Sequence, residues 1–373
     1  MTDIIEHVGE IRGVGPPNYL NLPQNIDVVG DYAYVASYTD DALTIFNIFD
    51  PINPIHTGEI HGGGSPNYLN GAWFVKVVGN YAYVTAGNDN ALTIFDISAP
   101  AAPSHVGEIH GAGSPNYLGG AYGMDVVGNY AYVTAPYNDA LSIFDISNPA
   151  APSHVGEIHG AGSPNYLGGC AYVDVVGNYA YITSWDDDAL TIFDISNPAA
   201  PSHVGEIHGA GSPNYLQCAY HLDVVGNYAY VAAYSDNALS VFSISNPANP
   251  THVGEIYGVG NPNYLSGAIS VDVVGDYAYV ISEGDNALTI FEISVCGKIG
   301  VGDKVMLCPI GNRHGNTVAL KSGKATVTDK ALIASLNNQA AQRLDFRNCK
   351  TEQGDKVICV PVNRAKKNIL GLR

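Results

Sequence analysis

One phrase recurs six times in this chain at a spacing of 49 residues. The first copy runs from Asp27 to Val35 as DVVGDYAYV, and related copies begin at Lys76, Asp125, Asp174, Asp223 and Asp272. A fixed period of this length belongs to repeat architectures, in which each unit buries its apolar faces against its neighbours. Six near-identical units also supply an internal control, because the positions that differ among them stand out.

Each unit reads as four short strands. In the third, GGAYGMDVVG, NYAYVTA, ALSIFDIS and PSHVGEIHG are rich in Val, Ile, Tyr, Phe and Thr. Gly128-Asn129 marks the first turn, Asn138-Asp139 the second, and Asn-Pro with a further Pro the third. These residues supply positive φ or a fixed φ where a tight turn needs one. Runs such as LTIFDI are apolar on both sides, which suits sheets covered on both faces. Four-stranded blades stacked around an axis give that arrangement.

The two ends of the repeat region fit each other. The last unit stops after ALTIFEIS at Ser294 and lacks a fourth strand, while EHVGEI, Glu6 to Ile11, is a fourth strand without its first three. Joining them closes a ring and removes the exposed sheet edges. The expected fold is all-β: a six-bladed β-propeller over residues 1–295, closed by the N-terminal strand. Residues 296–373 then form a small basic β-rich module with one helix. The run ending in Asp-Ile-Ser, then Asn-Pro and a second Pro, resembles the LVIVD-repeat propeller family. Leu92 to Ser98, Leu141 to Ser147 and Leu190 to Ser196 carry it, while Asn47, Phe49, Ser243 and Glu292 depart from it. The resemblance implies the propeller fold. Propellers host many unrelated activities, so function has to come from a site.

Charge divides the chain at the same place. Residues 1–295 hold 30 acidic and two basic residues, Arg12 and Lys76, a net of -28; residues 296–373 carry +9. Such asymmetry points to distinct partners for the two parts, or to solubility of a Tyr-rich propeller. No apolar run reaches the length of a membrane span. MTDIIEHVGE has neither a basic start nor an apolar stretch, so no secretory signal is expected. Compartment is otherwise open between cell surface, virion and cytoplasm. Cys170 and Cys218 sit before two first strands. Cys296, Cys308, Cys349 and Cys359 lack zinc-pair spacing and are equally compatible with two disulfides or free thiols.

Variation concentrates at three positions per unit. Just before the recurring phrase stand Gln24, Trp73, Tyr122, Ala171, Tyr220 and Ile269, then Asn25, Phe74, Gly123, Tyr172, His221 and Ser270. In the second turn stand Tyr38, Gly87, Pro136, Trp185, Tyr234 and Glu283. In a propeller these fall on one face, around the channel mouth. Aromatic side chains anchor interfaces at low entropic cost. The expected ligand-binding set is Tyr38, Trp73, Tyr122, Tyr172, Trp185, Tyr220, His221 and Tyr234. The Pro-Asn-Tyr-Leu core, present in all six copies, reads instead as packing.

Acidic residues form two further sets. The second turns carry Asp/Asn pairs, among which Asp187, Asp236 and Asp285 are the candidates for calcium, whose ligands are oxygens of this kind. Ordinary turn chemistry explains the same pairs, and no cofactor is assigned. Asp27, Lys76, Asp125, Asp174, Asp223 and Asp272 form a second ring, read as a repeated blade-to-blade hydrogen bond. No nucleophile elbow, zinc helix or phosphate loop is present in the sequence.

In the C-terminal part, GDKVMLCPIGNRHGNTVAL from Gly302 resembles GDKVICVPVNRAKKNILGL from Gly354, and DKALIASLNNQAAQRL between them has helical spacing. The GDKV…P…NR phrase resembles small β-barrel modules of tailed-virus tail proteins. Arg313, Arg347, Lys366 and Lys367 are the expected anchoring residues, toward an acidic protein surface or a second copy. With little aromatic interleaving, nucleic acid is not the expected partner. The function expected is non-enzymatic recognition of a glycan or protein receptor by the aromatic face, with the basic module anchoring a larger assembly. A structural assembly protein and a metal-dependent hydrolase at the channel mouth are the alternatives.

Overall fold

In the computed structural model, residues 8–293 are described in full, and six short strands are described within residues 294–373. The chain divides into two compact units at Ile293/Ser294. The first is the propeller. Blade two shows the pattern: Ala72–Val78, Tyr81–Ala86, Ala91–Asp96 and Ser104–His110 pair in sequence order as an antiparallel meander. Blades one, three, four and five repeat it, and blade six contributes the three strands Ala268–Val274, Tyr277–Ser282 and Ala287–Glu292. First-strand residues of all six blades line one central cavity.

The core lies between blades. At the first junction Tyr34, Leu43 and Ile45 of blade one meet Leu69, Val75, Val77 and Phe95 of blade two, and the next four junctions repeat this cluster. This is why the second and third strands are apolar on both faces: blades two to five are each the filling between two others. A fourth-strand glycine sets the spacing. A Cβ at Gly107 would strike the Pro149 carbonyl, and Gly156 and Gly205 stand in the same relation to Pro198 and Pro247.

The Asp/Asn pair of the second turn latches the blades. Asp187 Oδ2 accepts the N–H groups of Gly162 and Gly168 from the connection entering its own blade. Asp188, at φ 50°, reaches the N–H of Cys218 in the next blade. The connections share a built-in shape. All six X–Pro bonds are cis, each following Asn side chain donates to the carbonyl six residues back, and each Tyr has φ between 45° and 48°. Four of these tyrosines, Tyr19, Tyr68, Tyr117 and Tyr166, stack on a histidine of the following fourth strand. The packing reading of the Pro-Asn-Tyr-Leu core therefore holds.

The sixth-to-first junction differs. Ile26 of blade one is 58 % exposed and Leu288 of blade six 57 %, whereas equivalents elsewhere are buried. Gly9 packs on Pro51 and Ile52 as Gly58 packs on Pro100 and Ala101, so the N-terminal segment occupies the fourth-strand place beside blade one. Residues 8–11 carry no strand pairing, and Glu6 and His7 lie outside the described residues.

In the second unit the helix expected over residues 329–344 is replaced by strands Ala331–Leu336 and Arg343–Asp345. The reason is a recurrence hidden by the helical spacing of its leucines. Asp303-Lys304, Asp329-Lys330 and Asp355-Lys356 recur every 26 residues. The strands that follow them, Val305–Leu307, Ala331–Leu336 and Lys356–Pro361, pair in parallel. Arg313, Lys366 and Lys367 lie outside the described residues, as does Arg347.

Candidate functional site

The first strand of most blades carries a β-bulge at the end nearest the connection. In blade two Ala72 pairs with Ala86 and Phe74 with Thr85, so Trp73 is the extra residue. In blade five Tyr220 is extra between Ala219 and His221. A bulge re-aims a side chain that alternation would have sent sideways. Here it turns one variable position toward the axis while the next, on the regular pleat, also faces the cavity.

Threonines of the preceding blade hold these bulges. Thr85 Oγ1 donates to the Tyr122 carbonyl at 2.5 Å, Thr134 Oγ1 to that of Ala171 at 2.7 Å and Thr183 Oγ1 to that of Tyr220 at 2.9 Å. Thr134 Oγ1 also accepts the Gly123 N–H at 3.0 Å, where the third blade has no regular pairing. Thr134→Val keeps the shape and orphans both groups. It is expected to lower stability by about 1.5 kcal/mol, read from the denaturant midpoint, more than the same change at the exposed Thr251.

The two variable positions form two aromatic layers, each made possible by a small residue. In the outer layer Ala171 of blade four is fully buried. Over it, the hydroxyls of Tyr122 from blade three and Tyr220 from blade five meet. Trp73 lies 4.5 Å from Tyr122 between ring centroids, and Trp185 lies 5.4 Å from Tyr122 and 5.9 Å from Tyr220. Tyr38 adds its edge to Trp73 at 5.0 Å and donates to Asn88 Oδ1. In the inner layer Gly123 of blade three leaves room for Phe74 of blade two to meet Tyr172 of blade four at 5.3 Å, and Tyr172 packs on His221 at 3.8 Å. Tyr234 stands apart, half-exposed, against Gly267 of the next connection.

Burial governs the chemistry of this cluster. It raises the Tyr122, Tyr172 and Tyr220 hydroxyls above the ordinary phenol value, helped at Tyr122 by Tyr220 and at Tyr172 by Asp125 and Asp174. It holds the His221 imidazole down at about 4, so the ring is neutral at physiological pH, and its buried Nδ1 has no partner among the described residues. Such groups are poor bases and poor nucleophiles, but good contact surface.

Below the aromatic layers lies the acidic ring. Asp27 Oδ2 accepts from the Val77 N–H at 2.7 Å, Asp125 from Val175 at 3.1 Å, Asp174 from Val224 at 2.9 Å and Asp223 from Val273 at 2.6 Å. The blade-to-blade hydrogen bond expected from the sequence is therefore present. Lys76 pairs with Asp125 Oδ1 at 3.3 Å. Burial pushes Asp174 up to about 6, and the charges of Asp125 and Asp223 add to this. The whole cavity holds about 590 Å³.

Other candidates resolve into structural roles. Asp187, Asp236 and Asp285 each accept two backbone N–H groups of their own connection. Among the described residues no three carboxylate, histidine or cysteine side chains cluster as a metal site. His105, His154 and His203 pair with the glutamate three residues on at 2.9–3.0 Å and lie edge-on to Phe95, Phe144 and Phe193. Cys170 and Cys218 are free thiols, and burial pushes Cys170 up to about 12.

Comparison with known proteins adds the following. A family model described as the LVIVD repeat matches residues 23–61, 71–110, 118–159, 168–208, 218–257 and 267–295. No curated protein matches. Among solved structures, a periplasmic gluconolactonase of Pseudomonas aeruginosa superposes with a TM-score of 0.60 at 14% identity, over 72% of this chain and 81% of its own. A protein from Lactobacillus plantarum gives 0.59 at 14% identity, over 72% and 84%. A functionally unknown protein from Desulfotomaculum acetoxidans gives 0.53 at 14%, over 70% and 79%. At this identity the likeness is one of fold.

Proposed function

We propose that this chain, which belongs to the LVIVD-repeat family, is a non-catalytic recognition protein that receives a glycan or protein partner on the aromatic end of its propeller. One observation carries the reading. The six units are nearly identical except where bulged first strands and second turns bring Trp73, Tyr122, Tyr220 and Trp185 together at one end of the axis. A propeller of near-equal units gains nothing in packing from confining its differences to that end. A surface that must fit an asymmetric partner does. Aromatic rings with hydroxyl and indole donors suit both sugar faces and protein side chains. The basic second unit, with its net +9, would hold the propeller to a larger acidic assembly.

The lactone chemistry in the name of the Pseudomonas aeruginosa protein is not carried over. The cavity here presents a neutral histidine and buried phenols beside its ring of carboxylates.

The test is binding of the full chain to a glycan array and to solubilised surface proteins. Trp73→Ala and Trp185→Ala are expected to weaken the captured partner by at least tenfold. Tyr122 is unsuited to this test, because its burial among three other rings makes it a packing residue as well. Unchanged binding in both tryptophan variants would discard the aromatic end as the contact.

A further inference from the structure

We propose that the central cavity is a binding site for an organic cation, a small ligand carrying one or more ammonium groups, held between the carboxylates of Asp174 and Asp223 and the ring of Tyr172. The site lies in the same cavity as the aromatic end, at the carboxylates beneath Trp73, Tyr122 and Tyr220, and its argument does not rest on the recognition reading.

The carboxylates do more than tie blades together. Each uses Oδ2 for the N–H of the next blade. Among the described residues no hydrogen bond reaches Oδ1 of Asp174, while the Asp223 carboxylate also interacts with the Val224 N–H of its own strand, and both residues line the cavity. Asp125 is different, since its Oδ1 is taken by Lys76 and by the Val126 N–H. Blade two also shows that the slot does not require an acid: Lys76 occupies it, and the blade folds like the others. Two like charges facing one cavity repel unless a cation lies between them.

The rest of the wall fits an organic cation better than a metal ion. The carboxylates come from separate blades and do not converge as a metal cluster among the described residues. Tyr172 lines the same cavity, with its hydroxyl in the field of Asp125, Asp174 and Asp223, and an aromatic ring beside carboxylates suits an organic cation. His221, tilted against that ring, is neutral, and among the described residues its buried Nδ1 has no partner. A neutral imidazole accepts a hydrogen bond from an ammonium group, while a charged one would repel it. The cavity of about 590 Å³ is in the range of small-molecule sites. A net of -28 over residues 1–295 draws cations toward it.

Spermidine and tetramethylammonium serve as probes, titrated calorimetrically into the full chain at pH 7.5 and 150 mM salt. The expected result is saturable binding of spermidine near one equivalent. Asp174→Asn with Asp223→Asn keeps the acceptors for Val224 and Val273 and is expected to weaken binding at least tenfold. A control with the same charge change at exposed positions, Asp31→Asn with Asp276→Asn, is expected to change it less than twofold. Tyr172→Leu is expected to weaken tetramethylammonium more than spermidine. Absence of saturable binding by either probe would overturn the proposal. So would equal loss in the two double variants, which would mean diffuse attraction to an acidic surface. Loss of the aromatic-end partner in Trp73→Ala, with spermidine binding retained, would leave this site standing and separate the two readings.

Discussion

Gly123→Ala is expected to cost about 3 kcal/mol of stability and to part the rings of Phe74 and Tyr172. A Cβ at Gly123 would lie 2.5 Å from the Ala171 carbonyl and 2.9 Å from Tyr172 Cα, both backbone atoms of the next blade. Backbone cannot rotate away as a side chain can, so blade three or blade four must shift as a unit. That shift would carry Tyr172 away from Phe74 and stretch the bond from Thr134 to the Ala171 carbonyl. Denaturant unfolding measures the loss, and near-ultraviolet circular dichroism reports the aromatic rearrangement. Gly113→Ala is the control. It meets open space at a backbone angle that alanine accepts and should be neutral or slightly stabilising. Equal effects of the two substitutions would show that the inner layer is not held by the absence of a Cβ at residue 123.

This glycine also shows where sequence reading stopped. The 49-residue recurrence was enough for blades, strand order and turn chemistry, because each depends on local signals repeated six times. The aligned variable positions were visible for the same reason. Their meaning was less so. Read as a list, Trp73, Tyr122, Ala171 and Tyr220 suggest a binding rim but not how their side chains fit together. In space, Ala171 is small so that Tyr122 and Tyr220 can meet over it, and Gly123 is absent as a side chain so that Phe74 and Tyr172 can. Complementary sizes in alternate blades were on the page, but the bulge that points both positions inward was not. It is fixed by Thr85, Thr134 and Thr183, whose hydroxyls act across a blade junction 37 residues away in sequence. The second unit failed differently. Leu332, Leu336 and Leu344 have helical spacing, and a 26-residue recurrence of Asp-Lys outweighs it. Local period is weak evidence when a longer period supplies a pairing partner.

Asp174→Asn is expected to stabilise the propeller by about 2 kcal/mol at pH 7.5 and not at all near pH 4. The sign follows from the direction of the shift. Burial first, then the charges of Asp125 and Asp223, hold the folded carboxyl up at about 6, against about 4 in an unfolded chain. The folded state therefore takes up the proton more readily. The stability linked to this group is fully present below pH 4 and is lost as pH rises through 6. The full linkage at pH 7.5 is close to 3 kcal/mol, and contact with cavity water lowers it to about 2. Asparagine keeps an acceptor for the Val224 N–H and removes the charge, so it escapes the penalty without giving up the blade-to-blade bond. Denaturation of wild type and variant at pH 4 and pH 7.5 gives the difference directly, with the other acidic groups cancelling between them. A variant no more stable than wild type at pH 7.5 would mean that water or Lys76 already neutralises the cavity. A gain at pH 7.5 together with lost spermidine affinity would place Asp174 among residues kept for binding at the expense of stability, since the Lys76 slot shows that the fold itself accepts a different side chain there.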